Sequence, residues 1–239
     1  GLGDVYKRQG IYAMIRRHFI GGIILFLAAY ISSKSREMRQ WKKMVIPFLF
    51  AIPIIVIVGI ENLSTCIILL AISFIMIFVA TPLLVPFVVI GLIGVAGAGG
   101  LLLTQGYRME RITVWLDPAA SEKGHQTIQG LYAIGSGGLF GKGLGQSMQK
   151  LGFLPEANND MIFSVICEEL GLFGAVCVIL LFLLMIWRFM IIANNASDLY
   201  GALVVVGIMA HLSIQVILNI AVVTNTIPNT GISLPFISY

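Results

Sequence analysis

Charge is what this sequence has least of. Only 11% of its 239 residues are Asp, Glu, Lys or Arg, against about 25% in an ordinary soluble domain. That shortage excludes a disordered chain, a nucleic-acid module and a soluble enzyme of the usual kind. Cysteine is scarce as well. Cys66, Cys167 and Cys177 each sit inside an apolar run. None has metal-ligand spacing, so they are read as small packing residues, not as a disulfide framework or a zinc site.

What the chain does have is apolar surface. Residues of the AVILMFWYC set make up 58%, and 26 glycines come on top of that. Mean hydropathy is +0.97. The expected fold class is all-α, a polytopic helical membrane protein. The formal charge of +4 is then first a report of topology and carries no suggestion of nucleic acid.

A bilayer core of about 30 Å takes roughly 20 apolar residues per helix. Six stretches qualify, at 11–32, 44–60, 63–80, 83–103, 161–187 and 201–224. Glu61 and Asn62 separate the second from the third. Pro47, Pro53, Pro82 and Pro86 lie in or near spans, where neighbouring helices are expected to satisfy the freed backbone groups. The link Lys34–Lys43 carries Lys34, Arg36, Arg39, Lys42 and Lys43 against Glu37 alone. By the positive-inside rule it is cytoplasmic, and counting spans onward places 104–160 outside.

The ends read differently. Asp4–Gln9, DVYKRQ, resembles the translation of an adapter used in sequencing libraries, so residues 1–10 are expected to lie outside the fold. The chain also stops at LPFISY, where an apolar segment begins. An internal piece of a longer protein is expected, with spans over 11–103 and 161–239 flanking the loop 104–160.

That loop gathers eleven of the chain's 29 Lys, Arg, Asp, Glu and His residues. Loops longer than about 12–15 residues are usually functional or disordered. Ile128, Leu131, Tyr132 and Ile134 fall at helical spacing, so partial helix on the membrane surface is expected. The run GSGGLFGKGLG at 135–145 lacks both a preceding strand and a Ser or Thr after its Lys. It is therefore read as a flexible re-entrant turn, not as a phosphate loop.

Residues 125–174, HQTIQGLYAIGSGGLFGKGLGQSMQKLGFLPEANNDMIFSVICEELGLFG, resemble the large extracytoplasmic loop and following helix of the FtsW/RodA/SpoVE (SEDS) family. RITVWLDP at 111–118, QVILNI at 215–220 and IPNTGISLPFISY at 227–239 resemble further family segments. The family has ten transmembrane helices. By that register 11–103 holds helices four to seven, and 161–239 holds eight, nine and the start of the tenth. The resemblance implies a peptidoglycan glycosyltransferase that polymerises lipid II, in the bacterial cytoplasmic membrane, with a class B penicillin-binding protein as transpeptidase partner. Membrane lipids and other division proteins are the further partners it implies. GQSMQKLGFLPEA resembles the division type more than the elongation type. The fragment alone is expected to be inactive.

Three departures from the family pattern stand out. PEANNDM replaces the frequent PEAHTDF, IENLST at 60–65 displaces an acid to Glu61, and the lysine often found early in helix four is missing near Ile20.

By motif position the family's essential aspartate falls on Asp160. Glycosyl transfer from a polyprenyl diphosphate needs a base for the acceptor hydroxyl, cations for the departing diphosphate and an apolar groove for the lipid. Asp160 ends a polar loop and begins an apolar helix, where sugar and lipid meet. Partial burial there favours the protonated acid, and the helix N-terminus favours the anion. Base catalysis and a share in holding a divalent cation, magnesium or manganese, therefore both stay open. No other cofactor is implied. Arg108, Arg111, Lys142 and Lys150 are the candidate diphosphate ligands, with Gln126 and Glu156 as further substrate-side candidates.

Glu168 lies about 12 Å along the helix from Asp160 and about 80° around it, so it is the candidate to line a cavity beneath. An intramembrane carboxylate is costly and by default functional. His211, Gln215 and Asn219 form an i, i+4, i+8 stripe suited to interhelical hydrogen bonds. Of these, Gln215 and Asn219 are the further cavity-lining candidates. A lipid II flippase and a non-catalytic scaffold for a transpeptidase are the alternatives to the polymerase.

Overall fold

The computed structural model describes residues 2–35, 40–81, 88, 91–92, 106–121, 124–149, 157 and 159–238; for 2–17, 41–42, 44, 60–61, 63 and 106–109 it describes backbone only. Every regular element among the described residues is helical. Two compact units are distinguished, residues 1–94 with 188–211, and 95–187 with 212–239.

In the first unit, α1 (Leu2–Ser33), α2 (Trp41–Glu61) and α3 (Leu63–Ala80) follow the first three apolar stretches. The backbone of α1 continues through Asp4–Gln9, the stretch the sequence reading sets aside. Ile20, Ile23, Ile24, Leu27 and Ile31 are buried and recur at the spacing of one helix face. Leu69, Ile72, Met76 and Ile77 supply the buried stripe of α3. A single residue, Asn62, joins α2 to α3. Its backbone is extended, and its side-chain oxygen accepts from Thr65 N at 3.2 Å, capping α3. Pro47 and Pro53 lie inside α2 without ending it.

Outside these stripes the surface is apolar. Leu49, Phe50 and Ile57 are each more than 60% exposed. A surface of that kind suits hydrocarbon, because a soluble monomer rarely leaves so large a contiguous apolar area open. The sequence-predicted span at 83–103 lies almost wholly outside the described residues. The chain is a polytopic, all-helical membrane protein.

The second unit contains the loop between spans. It holds α4 (Gly106–Leu116), a 3-10 turn at Pro118–Ala120, and α5 (His125–Gly137). Two long apolar helices follow, α6 (Ile162–Asn194) and α7 (Leu199–Val223), each long enough to cross a membrane; this unit holds α6 as far as Trp187 and α7 from Leu212. Thr127, Gly130, Ala133 and Gly137 form the buried face of α5, while Leu131 and Tyr132 point outward at 37% and 61% exposure. Small residues allow close backbone approach. A Cβ on Gly130 would come within 2.6 Å of Met161 Cε, and one on Gly137 would collide with the Cys167 carbonyl.

The span expected as one continuous helix over 161–187 is broken. Gly171 has φ 67° and ψ −166°, a conformation open essentially to glycine alone. The break frees backbone groups that the glycine run takes up. Lys142 N donates to Glu168 O at 2.9 Å and Gly143 N to Glu169 O at 2.9 Å. In return, Leu172 N donates to Gly138 O at 2.9 Å and Phe173 N to Leu139 O at 3.1 Å. The run expected as a flexible turn is thus a fitted patch over a helix break. Hydropathy senses apolar length but carries no information on backbone continuity, which is why the break was not foreseen.

Gly171→Ala is expected to cost about 1–3 kcal/mol from the backbone conformation alone. Collision of the new Cβ with Gly141 N adds to that cost. Thermal unfolding in detergent checks this, with Gly135→Ala as control. Gly135 has open space around it and no positive φ, so its substitution should leave stability unchanged or slightly raised.

Candidate active site

Asp160 sits two residues before the first helical residue of α6 and is 7% exposed. Its place is fixed largely through its main chain. Asn219, fully buried on α7, donates its amide to Asp160 O and to Ile232 O, each at 2.7 Å. Ser238 Oγ donates to Asn159 O at 2.6 Å. The segment after α7 therefore wraps back onto the turn that carries Asp160.

Asn225 makes that wrap feasible. It adopts φ 54°, which Asn tolerates better than most residues. Thr226 N then donates to Ala221 O at 2.8 Å, closing the end of α7. The carbonyl of Asn225 accepts from Trp115 Nε1 at 2.9 Å. Arg111 Nη1 donates to Asn229 O at 3.1 Å, so α4 is tied to the same segment at two points.

The carboxylate itself meets Gln126 at the start of α5, whose Nε2 donates to Asp160 Oδ1 at 3.3 Å. Gln126 Oε1 in turn accepts from Asn229 Nδ2 at 3.1 Å, and Asn229 Oδ1 accepts from Gly231 N at 3.0 Å. Asp160, Gln126, Arg111, Glu110, Trp115 and Asn229 are among the residues lining a cleft of about 420 Å³. Among the described residues, one cation, two carboxylates and neutral amides thus face a common space.

Asp160, Gln126 and Arg111 come together as the sequence reading expects, and Asn219 reaches Asp160 through its main chain. Gln215, one turn earlier on α7, is half-buried. Lys150 and Glu156 lie outside the described residues, and the Arg108 side chain does too.

Glu168 and Lys142 form a separate cluster. Glu168 is fully enclosed and does not line the cleft at Asp160. Its Oε1 accepts from Lys142 Nζ at 2.6 Å and Ser136 Oγ at 3.3 Å; its Oε2 accepts from Ser147 Oγ at 2.5 Å and Gln149 N at 3.4 Å. The helix break brings the glycine run this close. Lys142, expected among the diphosphate ligands, is paired with that carboxylate.

Trp115, Asn225 and Asn229 were not singled out from the sequence, although Trp115 and Asn229 stand inside the segments RITVWLDP and IPNTGISLPFISY. Among the described residues no group of three or more His, Cys, Asp or Glu side chains gathers to hold a metal. The oxygen donors in the cleft, Asp160 and Glu110, do suit magnesium or manganese, which bind through one or two carboxylates together with substrate phosphates.

Residues 21–239 match the family model described as cell cycle protein, that of FtsW, RodA and SpoVE. The chain belongs to this family. It is 45% identical over 223 residues to stage V sporulation protein E of Bacillus subtilis, covering 91% of this chain and 60% of that protein. It is 46% identical over 170 residues to a probable peptidoglycan glycosyltransferase FtsW of Coxiella burnetii, covering 69% and 45%. A third relative, the probable peptidoglycan glycosyltransferase FtsW of a Geobacter species, is 35% identical over 221 residues, covering 91% and 60%. The chain therefore spans about three-fifths or less of these relatives.

Among solved structures, a chain of a peptidoglycan synthase complex that coordinates polymerization and crosslinking matches with a TM-score of 0.71 at 23% identity. That match covers 92% of this chain and 62% of the other. A variant of the rod shape determining protein RodA of Thermus thermophilus matches with a TM-score of 0.54 at 22% identity, covering 91% and 58%. At these identities the likeness is one of fold.

Asn219→Leu keeps the volume but leaves the carbonyls of Asp160 and Ile232 without this donor. A loss of about 1–3 kcal/mol is expected for each carbonyl left unpaired. Thermal unfolding should show it, while Ile217→Leu, two residues away and 65% exposed, should leave the midpoint unchanged.

Proposed function

We propose that this chain carries the catalytic core of a peptidoglycan glycosyltransferase that polymerises lipid II into glycan strands. The observation that carries this reading is the buried Asp160 carboxylate, set at the start of an apolar helix in a cleft shared with Arg111. The family membership and the two relatives named as probable peptidoglycan glycosyltransferases support it.

In this reaction the acceptor sugar's 4-hydroxyl attacks the anomeric carbon of the donor. A new C–O bond forms, and the bond from that carbon to the diphosphate breaks. Asp160 accepts the hydroxyl proton as the bond forms, with Gln126 orienting the carboxylate from 3.3 Å. Arg111 offsets the charge that develops on the departing polyprenyl diphosphate. A magnesium or manganese ion held by Asp160 and Glu110 would add to that charge compensation when bound. The polyprenyl tail lies in the apolar surroundings of the helices.

We place the protein in the bacterial cytoplasmic membrane with 104–160 outside, on the strength of the basic Lys34–Lys43 link. A class B penicillin-binding protein is the proposed partner. The fold likeness to a complex that joins polymerization to crosslinking supports that assignment. Septal synthesis is the proposed setting: the relatives named FtsW and the 45% identity to a sporulation protein support a division or sporulation setting over elongation.

Asp160→Asn in the full-length protein with its partner should lower glycan polymer formed from purified lipid II by about a hundredfold or more, the scale of general-base catalysis. Lipid II flipping, measured in vesicles, should be unaffected. Polymer formed at the parent rate would remove Asp160 from the chemistry. Loss of flipping with polymerisation intact would favour a transporter.

A further inference from the structure

Between α5 and the start of α6 the contacts fall in register along both chains. Gln126 meets Asp160, Gly130 meets Met161 and Ser164, Gly137 meets Cys167, and Ser136 meets Glu168. The ten residues from Gln126 to Ser136 span about 15 Å of helix, and the eight from Asp160 to Glu168 span about 12 Å. Two helical segments of similar length thus lie side by side, running in the same direction. They are joined by side-chain hydrogen bonds at each end and by glycine contacts between.

At the cleft end, the Gln126 amide reaches Asp160 at 3.3 Å. At the far end, an enclosed carboxylate takes four donors, one of them an ammonium at 2.6 Å. Charge-assisted hydrogen bonds are roughly twice as strong as neutral ones. A buried carboxylate that loses its cation is left with an uncompensated charge. Lys142 also donates its backbone N–H to Glu168 O, so the same residue is held twice. Lys142 does not line the Asp160 cleft; it borders another of about 650 Å³, formed with Tyr132, Gln129 and Met148.

We propose that Lys142 and Glu168 are positioning residues. Their ion pair fixes the run after α5 on α6, at the same carboxylate oxygen that Ser136 of α5 reaches, and so holds the far end of α5 and sets where Gln126 places the Asp160 carboxylate. The pair touches no reacting atom and acts through α5. The consequence for catalysis rests on the polymerase reading above; the anchoring itself does not.

Two measurements on the full-length protein with its partner test this. In the first, lipid II polymerisation is followed for Lys142→Met, Lys142→Arg, Gln126→Ala and the Lys142→Met, Gln126→Ala double variant, each normalised to folded protein by size-exclusion fluorescence. Lys142→Met should lower kcat by about tenfold or more, since small misplacements are costly. KM should stay within about threefold. Lys142→Arg should recover most of the loss. The double variant should be little worse than Gln126→Ala alone, because both act on one carboxylate. A loss carried mainly in KM, or losses that multiply in the double variant, would overturn the proposal.

The second measurement needs no activity. Asp160→Cys is introduced with every other cysteine of the full-length protein, Cys66, Cys167 and Cys177 among them, replaced by Ala, and the thiol at 160 is labelled with a water-soluble maleimide. Adding Lys142→Met should speed labelling by about tenfold, as α5 loosens from α6 and uncovers the thiol; an unchanged rate overturns the anchoring. If labelling accelerates while the unsubstituted protein makes no polymer, the anchoring stands and the polymerase reading fails. If the unsubstituted protein polymerises and Lys142→Met matches it in both assays, the positioning fails and the polymerase reading stands.

Discussion

A peptide group without a partner in hydrocarbon costs several kcal/mol, and this structure is arranged around meeting that cost at one place. The long helix from Ile162 breaks at Gly171, eleven residues past Asp160. Its freed carbonyls and N–H groups are taken up residue by residue by the glycine run at 138–143. Irregular backbone at membrane depth is tolerated only where protein or water covers it. Glycine is required on both sides of the contact. A Cβ on Gly141 would meet Glu169 O, and one on Gly171 would meet Gly141 N. The break thereby draws a loop that would otherwise be free onto the helix that presents Asp160.

Around the turn that carries Asp160, five of the holding hydrogen bonds go to main-chain acceptors. Asn219 donates to the carbonyls of Asp160 and Ile232, Trp115 to that of Asn225, Arg111 to that of Asn229, and Ser238 to that of Asn159. In each case the donor is a specific side chain and the acceptor is a group every residue has. Tolerance to substitution is therefore lopsided. Changing a donor strands a carbonyl, whereas changing an accepting residue need not. The exceptions are positions whose side chain also acts, such as Asn229, which bridges Gln126 and Gly231, and Asp160 itself.

Much of this could be read from sequence because it depends on apolar length and on charge. Five of the six expected spans correspond to helices, and the polar pair at 61–62 marks the joint where Asn62 caps α3. Asp160, Gln126, Arg111 and Asn219 do meet, and they come from segments whose motifs point to one family. The misplaced elements share a cause. Glu168 lies at a helical angle suited to a cavity beneath Asp160, yet its partners come from a loop whose path no periodicity reveals. The matching signal is the glycine pair 141 and 143, inside the run expected as a flexible turn, together with Gly171, at which the two backbones cross closely. The buried face of α5 was likewise concealed. It is made of Gly130, Ala133 and Gly137, while the larger apolar residues that carry the helical pattern include the outward-facing Leu131 and Tyr132.

Asp160 and Glu168 show how one helix start can give two carboxylates opposite fates. Both are buried, and they are eight residues apart. Glu168 is met by an ammonium, two hydroxyls and a backbone N–H, with no exposed surface. A carboxylate so enclosed has both oxygens engaged, and loss of any donor would open the cluster. Asp160 is held mainly by its carbonyl, and its carboxylate borders an open cleft beside a neutral amide. Holding the residue by its main chain fixes the position of the carboxylate at the edge of the cleft. That is what a group must have if it is to take a proton from a substrate or share a cation with one. The scarcity of charge along the chain sharpens the division, since a medium with few ions gives each buried carboxylate only the partners the fold brings to it.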